Sequence, residues 1–332
     1  MTASSPRTIR RSIGLLLGLA VSGAAGYFAA RGVAWSLVAD AFTRLRAWPL
    51  AIALAISVLA LFSLAWRSQV LFRSIGTLPL EDHVFSHLLA FVGNTVLPLR
   101  AGELMRLDYV ARHGNAAHGS CLAMLVVERM FDLMFMLGCF FVSIPLSTGK
   151  VPLVWGVVGV AIATICGLAT LLAVARAPEP AQRAMHAVLG LFGATAQRVV
   201  GSRIASFSAG LSSLSAGSAL LRIAGFTVLR WTVGLVNIRL WLLAFGITAP
   251  WYASIVLQAF LAFGTAVPST VAFAGTYHFA LITGLAVFGV PKELAVSVAV
   301  VGHAISFLPF STVGAVWIAR RAAVGSYRMP AL

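Results

Sequence analysis

The sequence predicts an all-α, polytopic integral membrane protein, and three observations carry that prediction. Apolar residues fill 60% of the 332 positions and charged residues only 10%, with a mean hydropathy of +0.96. A soluble domain carries about 25% charged and under about 50% apolar residues. Apolar runs long enough to cross a bilayer recur along the whole chain. No stretch is polar enough to form a separate soluble domain, so residues 1–332 read as a single membrane domain.

A helix crosses the hydrocarbon core with about 20 apolar residues. Six runs meet that requirement: 12–30, 48–66, 119–145, 151–175, 219–246 and 294–318. The first follows Arg7, Arg10 and Arg11, yet it is too long for a signal-peptide core and further runs follow it, so it reads as an uncleaved first helix. Two more apolar regions, 83–112 and 252–289, are interrupted by proline, glycine and polar residues. Each reads as a broken, re-entrant helical hairpin, which is tolerated at membrane depth only where protein or a watery cavity satisfies its backbone. Residues 177–218 form the longest polar interlude. Met185, Phe192, Ile204 and Leu211 recur there at helical spacing with Arg183, Arg198 and Arg203 between them. That pattern predicts an amphipathic cytoplasmic linker lying against the bilayer.

Two crossings, a hairpin and a third crossing make up residues 12–145, and the same series makes up 151–318. An odd number of crossings per half turns the second half upside down relative to the first, the inverted-repeat plan of many secondary transporters. Arg67, Arg73, Arg176, Arg183, Arg320 and Arg321 then fall on the side of the basic N-terminus. Positive charge marks the cytoplasmic side, so both termini are expected in the cytoplasm and the protein in the inner membrane.

Composition also narrows function. The net charge of +15 is scattered between and within apolar runs, so it suits topology and anionic head groups and excludes a nucleic-acid partner. Cys121, Cys139 and Cys166 are odd in number, lack metal or disulfide spacing and read as small core hydrophobes. His83 and His87 lie four apart without a third ligand or an HExxH pattern, so no metal is expected. No cofactor is expected either.

Ionisable groups at membrane depth are costly and demand an explanation. One cluster lies in the first hairpin: Asn94, Pro98, Arg100, Gly102, Glu103, Arg106 and Asp108. Pro98 ends the entering helix, Gly102 permits a tight turn, and the helix resumes around Glu103. The free N–H groups at that helix start suit a phosphate or carboxylate, with Arg100 as an added planar donor. The second cluster is Glu128, Arg129 and Asp132 in the following span, where Arg129 can pair with Asp132 three residues on. Two readings stay open: a buried ion network that fixes the hairpin, or a head-group or proton-coupling site. Arg222 and Arg239 read as snorkelling side chains, whereas Arg230 lies too deep for that. In the second hairpin Pro268, Ser269, Thr270, Gly275, Thr276, Tyr277 and His278 supply polarity without net charge. His303 in the last span reads as a histidine satisfied by a hydroxyl or carbonyl.

The segment Gly93-Asn94-Thr95-Val96-Leu97-Pro98-Leu99-Arg100-Ala101-Gly102-Glu103, followed by Val127-Glu128-Arg129-Met130-Phe131-Asp132, resembles the lysylphosphatidylglycerol synthase/flippase transmembrane family. Ala274-Gly275-Thr276-Tyr277 and Phe288-Gly289-Val290 resemble the family's second polar hairpin, although Val271-Ala272-Phe273 stands where Pro-Gly is common. The resemblance covers roughly residues 12–320. About a dozen residues follow the last span, so what it implies is the stand-alone, flippase-like membrane unit, without an aminoacyl-transferase domain. The expected function is movement of a lipid with an anionic head group between leaflets, with a membrane lipid as partner and enzymes of lipid biosynthesis as candidate partners. The residues expected to line its path are Asn94, Arg100, Gly102, Glu103, Arg106, Glu128, Arg129, Asp132, Gly275 and Thr276. A membrane enzyme acting on a lipid-linked substrate and a non-catalytic assembly partner are the alternatives. No nucleophile with an adjacent base supports the first of these, so no catalytic residue is assigned.

Overall fold

The computed structural model describes residues 23–97, 100–146, 205–211, 217–266, 271–273 and 275–324, with scattered positions between 162 and 183. Every regular element among them is helical. In chain order they are α1 (Trp35–Thr43), α2 (Ala47–Phe72), α3 (Leu80–Val96), α4 (Ala101–His113), α5 (His118–Leu146), α6 (Gly217–Ala244), α7 (Ala253–Ala266), α8 (Thr276–Ala286) and α9 (Lys292–Ala323). Residues 23–30 and 205–211 are helical as well.

Among the described residues, three helices are long and apolar enough to cross a membrane: α2, the Ser218–Ala244 portion of α6, and α9. Their outward faces carry large apolar side chains in the open, including Leu54 and Val58 on α2, Val228 and Val236 on α6, and Leu308 and Val313 on α9. Continuous exposed apolar surface on this scale is costly in water and natural in lipid. The molecule is a helical protein of multi-pass membrane character.

The helices α2, α5, α6 and α9 fall on the expected runs, and two of them run further: α9 continues to Ala323 and takes Arg320 and Arg321 into its last turn. The run 48–66 continues six residues further, to Phe72, and takes Arg67 inside the helix. Cys121 and Cys139 are buried as expected, but Cys166 is exposed, on a stretch whose apolar side chains Ile162 and Ile165 are exposed too. The run 151–175, the linker 177–218 and Pro98, Pro268, Ser269 and Thr270 lie largely or wholly outside the described residues, as do the first 22 positions.

The packing repeats itself. α2 packs on α3 as α6 packs on α7; α3 on α4 as α7 on α8; and α4 on α5 as α8 on α9. Between the two series, α3 packs on α9 as α7 packs on α5, while α2 and α6 pack on each other. Small residues bring these helices close, as membrane helix packing requires. A Cβ on Gly314 of α9 would lie 2.9 Å from the Leu88 carbonyl oxygen of α3, and one on Gly302 would lie 2.9 Å from the Trp241 ring of α6. Polar contacts add to this: Asn237 Nδ2 donates to Ser57 Oγ across α6–α2 at 2.9 Å, and Thr95 and Ser311 hydroxyls pair across α3–α9 at 2.8 Å. At one end of the bundle, Arg321 of α9 binds Glu81 (2.8 Å) and Asp82 (2.6 Å) in the first turn of α3, and also the Tyr109 hydroxyl.

Candidate functional site

The first break lies between α3 and α4. Arg100, immediately before α4, has φ 56° and ψ 34°, a left-handed conformation that costs a non-glycine residue about 1–2 kcal/mol. The turn freedom expected of Gly102 is thus taken by Arg100. Gly102 lies inside the first turn of α4, and its lack of a side chain serves contact instead. A Cβ there would collide with the Ala90 carbonyl oxygen and lie 2.7 Å from the Asn94 nitrogen. A Cβ on Gly93 would lie 2.5 Å from the Gly102 Cα. This close approach lets Asn94 Oδ1 accept the Gly102 N–H at 3.1 Å. One of the free N–H groups at the start of α4 is therefore already satisfied from α3.

The arginines and carboxylates that break the membrane rule converge. Arg106 of α4 makes two parallel bonds to Glu128 of α5, at 2.9 and 2.8 Å, and donates to Ser68 Oγ of α2 at 3.1 Å. Arg129 of α5 bonds Glu103 of α4 at 2.6 Å and Asp132 at 3.3 Å. Arg67 of α2, only 1% exposed, bonds both Asp132 oxygens at 2.7 and 3.3 Å and Thr227 Oγ1 of α6 at 3.0 Å. Trp231 Nε1 of α6 donates to Asp132 Oδ1 at 2.9 Å. Charge-assisted, bidentate pairs of this kind are the geometry that can offset the cost of burying ions.

The shortest contacts join Arg106 to Glu128, Arg129 to Glu103 and Arg67 to Asp132. Longer ones link these pairs into a network, Arg106 Nη1 standing 3.6 Å from Glu103 Oε2 and Arg129 Nη1 3.3 Å from Asp132 Oδ2. Two arginines remain over. Arg230 Nη1 stands 3.8 Å from Asp132 Oδ1, an oxygen already holding Arg67 and Trp231, and its guanidinium lies over the Trp231 ring at 4.2 Å. Arg100 has no carboxylate partner among the described residues; it donates to the Thr265 backbone carbonyl of α7 and lies 5.1 Å over the Phe273 ring.

Those last contacts join the two breaks. The α7–α8 connection contains two more left-handed non-glycine residues, Ala272 (φ 54°) and Phe273 (φ 57°), and Gly275 at φ 84° precedes α8. His303 of α9 steadies this turn through a 2.8 Å contact between its Nε2 and the Ala272 carbonyl, and its ring stacks on Tyr277 at 4.8 Å. The expectation of a carbonyl-satisfied His303 agrees with this.

Between the breaks lies a cavity of about 310 Å3. Arg67, Arg100, Arg106, Arg129 and Arg230 line it together with Phe91, Leu261, Phe307 and Phe310. Several buried polar atoms on its wall lack a hydrogen-bond partner among the described residues, including His87 Nε2, Asn237 Oδ1, Trp241 Nε1, Arg100 Nε, Arg67 Nε and Glu103 Oε2. Buried polar atoms are rarely left unpaired without a reason.

Of the residues expected at the site, Asn94, Arg100, Glu103, Arg106 and Arg129 line the cavity, and Glu128 and Asp132 stand directly behind its arginines. Gly102 acts through packing. Gly275 and Thr276 shape the second break rather than the wall, the Thr276 hydroxyl donating to the Phe273 carbonyl at 3.3 Å. Asp108 lies outside the cluster, paired with Arg112 at 2.9 Å and His118 at 3.0 Å. Arg239 donates to the Ala249 carbonyl at 2.8 Å, and Arg222 is exposed, in keeping with their placement near helix ends.

Sequence reasoning missed Arg67, read as a loop charge on the cytoplasmic side, together with Ser68, Thr227 and Trp231. The apolar residues Val70, Leu71 and Phe72 that follow Arg67 are the signal that the helix continues past it.

No curated protein matches the chain. The profile of the lysylphosphatidylglycerol synthase TM region matches residues 15–314, which contain both breaks and the whole ion network. The chain therefore belongs to the lysylphosphatidylglycerol synthase transmembrane family.

Proposed function

We propose that the protein is a flippase-like transporter that moves a lipid with an anionic head group between the leaflets of the inner membrane. The family membership supports a lipid-related function. The observation that carries the finer reading is the cavity where the two breaks meet, lined by five arginines together with aromatic and aliphatic side chains. A phosphate head and its first tail carbons offer partners for both kinds of side chain. The volume lies at the lower end of the range for ligand pockets, about 300–1,000 Å3, which suits a head group with its tails left in lipid.

In this reading the chain has two inverted halves, 12–145 and 151–318, each with three crossings and a re-entrant hairpin (83–112 and 252–289), joined by the cytoplasmic linker 177–218. The matching helix pairings of the two series support it. Both termini then face the cytoplasm. Arg100, Arg106 and Arg129 meet the phosphate, while Glu103, Glu128 and Asp132 hold those arginines in place and Asn94 fixes the first break. The carboxylates are engaged by guanidinium groups, the arrangement of charge anchors and not of proton-transferring acids. That supports transport over lipid chemistry. Enzymes that make or modify the lipid are the natural partners.

The test is a leaflet assay in proteoliposomes with fluorescent phosphatidylglycerol. Arg100→Ala combined with Glu128→Ala is expected to reduce the protein-dependent rate by at least about tenfold, the effect of losing roughly 1.4 kcal/mol at the barrier. Equal rates for wild type and the double variant would sink the head-group path.

A further inference from the structure

Resting on the reading above, we infer that the head group is a dianion, a lipid phosphomonoester or diphosphate, held by Arg100 and Arg230. The argument is a charge count. The cavity wall and the carboxylates behind it contain five guanidinium groups and three carboxylates, an excess of two positive charges, and the shortest contacts of the carboxylates go to Arg67, Arg106 and Arg129. Arg100 and Arg230 are left over.

The chain has no hidden carboxylate to neutralise them. It contains nine aspartate and glutamate side chains in all. Three belong to the network. Asp40 pairs with Arg44 on an exposed face, Glu81 and Asp82 hold Arg321, and Asp108 holds Arg112 and His118. Glu293 stands in the first turn of α9, and the last, Glu179, adds nothing to the cavity wall.

Two excess positive charges in a low-dielectric cavity favour whatever brings two negative charges. Arg100 has no carboxylate partner among the described residues, and Arg230 has only a 3.8 Å contact with Asp132. Arg100 is held in a strained left-handed conformation by a neutral carbonyl and a ring face. Arg230 rests on Trp231, with Asp132 already occupied by Arg67. Guanidinium is the side chain that matches phosphate oxygens in planar, paired fashion. The wall also offers two unpartnered nitrogens on residues more than nine-tenths buried, His87 Nε2 and Trp241 Nε1. A phosphodiester brings one negative charge and leaves one arginine uncompensated. A phosphomonoester above its second ionisation brings two.

The experiment measures binding of four probes to the purified full-length protein in neutral detergent: dioctanoyl phosphatidic acid, dioctanoyl phosphatidylglycerol, dioctanoyl phosphatidylcholine and inorganic phosphate. It is run at about pH 8, well above a second phosphate ionisation of about 6. Phosphatidic acid is expected to bind at least about tenfold more tightly than phosphatidylglycerol, a difference of about 1.4 kcal/mol. Arg230→Gln or Arg100→Gln should erase that preference, and Arg230→Lys should retain most of it, which separates charge from folding. Equal affinity for phosphatidic acid and phosphatidylglycerol, both above phosphatidylcholine, overturns the dianion assignment and leaves the anionic head group standing. No preference of either over phosphatidylcholine overturns both readings. Inorganic phosphate binding as tightly as phosphatidic acid overturns the lipid origin of the dianion.

Discussion

The two broken hairpins occupy equivalent places in the packing and are built on different physics. The first, α3–α4, is tied to its neighbours by ions: Arg106 and Glu103 of α4 reach Glu128 and Arg129 of α5. The second, α7–α8, contains no charged side chain between Ala253 and Ala286. It is held by a carbonyl contact from His303, by hydroxyls bonded to their own helix turns, and by rings packed around Tyr277 and Phe307. What the two share is the backbone solution to a break inside a membrane protein: a left-handed non-glycine residue at the turn and a glycine that lets the arms touch. The difference teaches that the break is a packing device, and that charge is laid on one copy of it.

The largest test of that contrast is Asp132→Ala. It leaves Arg67 buried without its carboxylate, a loss of about 3–5 kcal/mol for a broken buried pair. Thermal unfolding of the detergent-solubilised protein should show it, with the double variant Arg67→Met, Asp132→Leu far closer to wild type. If Asp132→Ala unfolds at the wild-type temperature, the ion network behind the first hairpin, which Asp132 ties to α2 through Arg67, does not hold the bundle together.

Next come Gly102→Ala and Gly264→Ala, one in each hairpin. At Gly102 the new methyl meets backbone of α3; at Gly264 it meets the Ala280 side chain and lies 2.8 Å from the Thr276 carbonyl oxygen. Overpacking of this kind costs about 1–3 kcal/mol, and both variants are expected to show it in the same unfolding assay. A silent Gly264→Ala beside a damaging Gly102→Ala would break the claim that the two hairpins share one packing device.

The smallest effect is His303→Phe. It keeps a ring against Tyr277 and removes the bond to the Ala272 carbonyl, a loss of about 1 kcal/mol. A loss as large as that of Asp132→Ala would mean that the second hairpin, too, depends on a polar anchor of the same weight.

The sequence disclosed the charged hairpin far better than its partners. Arg100, Glu103, Arg106, Glu128, Arg129 and Asp132 violate the membrane rule so openly that their convergence was readable, and the Arg129–Asp132 pair followed from helical spacing. Arg67 was not readable in the same way. At the edge of an apolar run an arginine looks like a topology signal, and only the fold reveals that Asp132, 65 residues away, draws it inside. The turn at Arg100 was misplaced for a related reason: glycine is the usual left-handed residue, so Gly102 attracted the assignment, while contact with α3 was what required it. Thr227 and Trp231 carry no signal of their own, because hydroxyls and indoles are common in membrane helices for many reasons.

The Arg67–Asp132 pair has a consequence for how the molecule is made. At about 5–20 residues per second, Arg67 leaves the ribosome several seconds before the carboxylate that neutralises it. The Trp231 that completes the arrangement arrives later still, 99 residues beyond Asp132. Arg67 stands five residues from the end of α2, close enough to the bilayer surface for its long side chain to reach water in the interval. Insertion of α2 and closure of the charge network are therefore separate events in biogenesis. The nascent chain must hold its second helix shallow until the fifth arrives to draw it in.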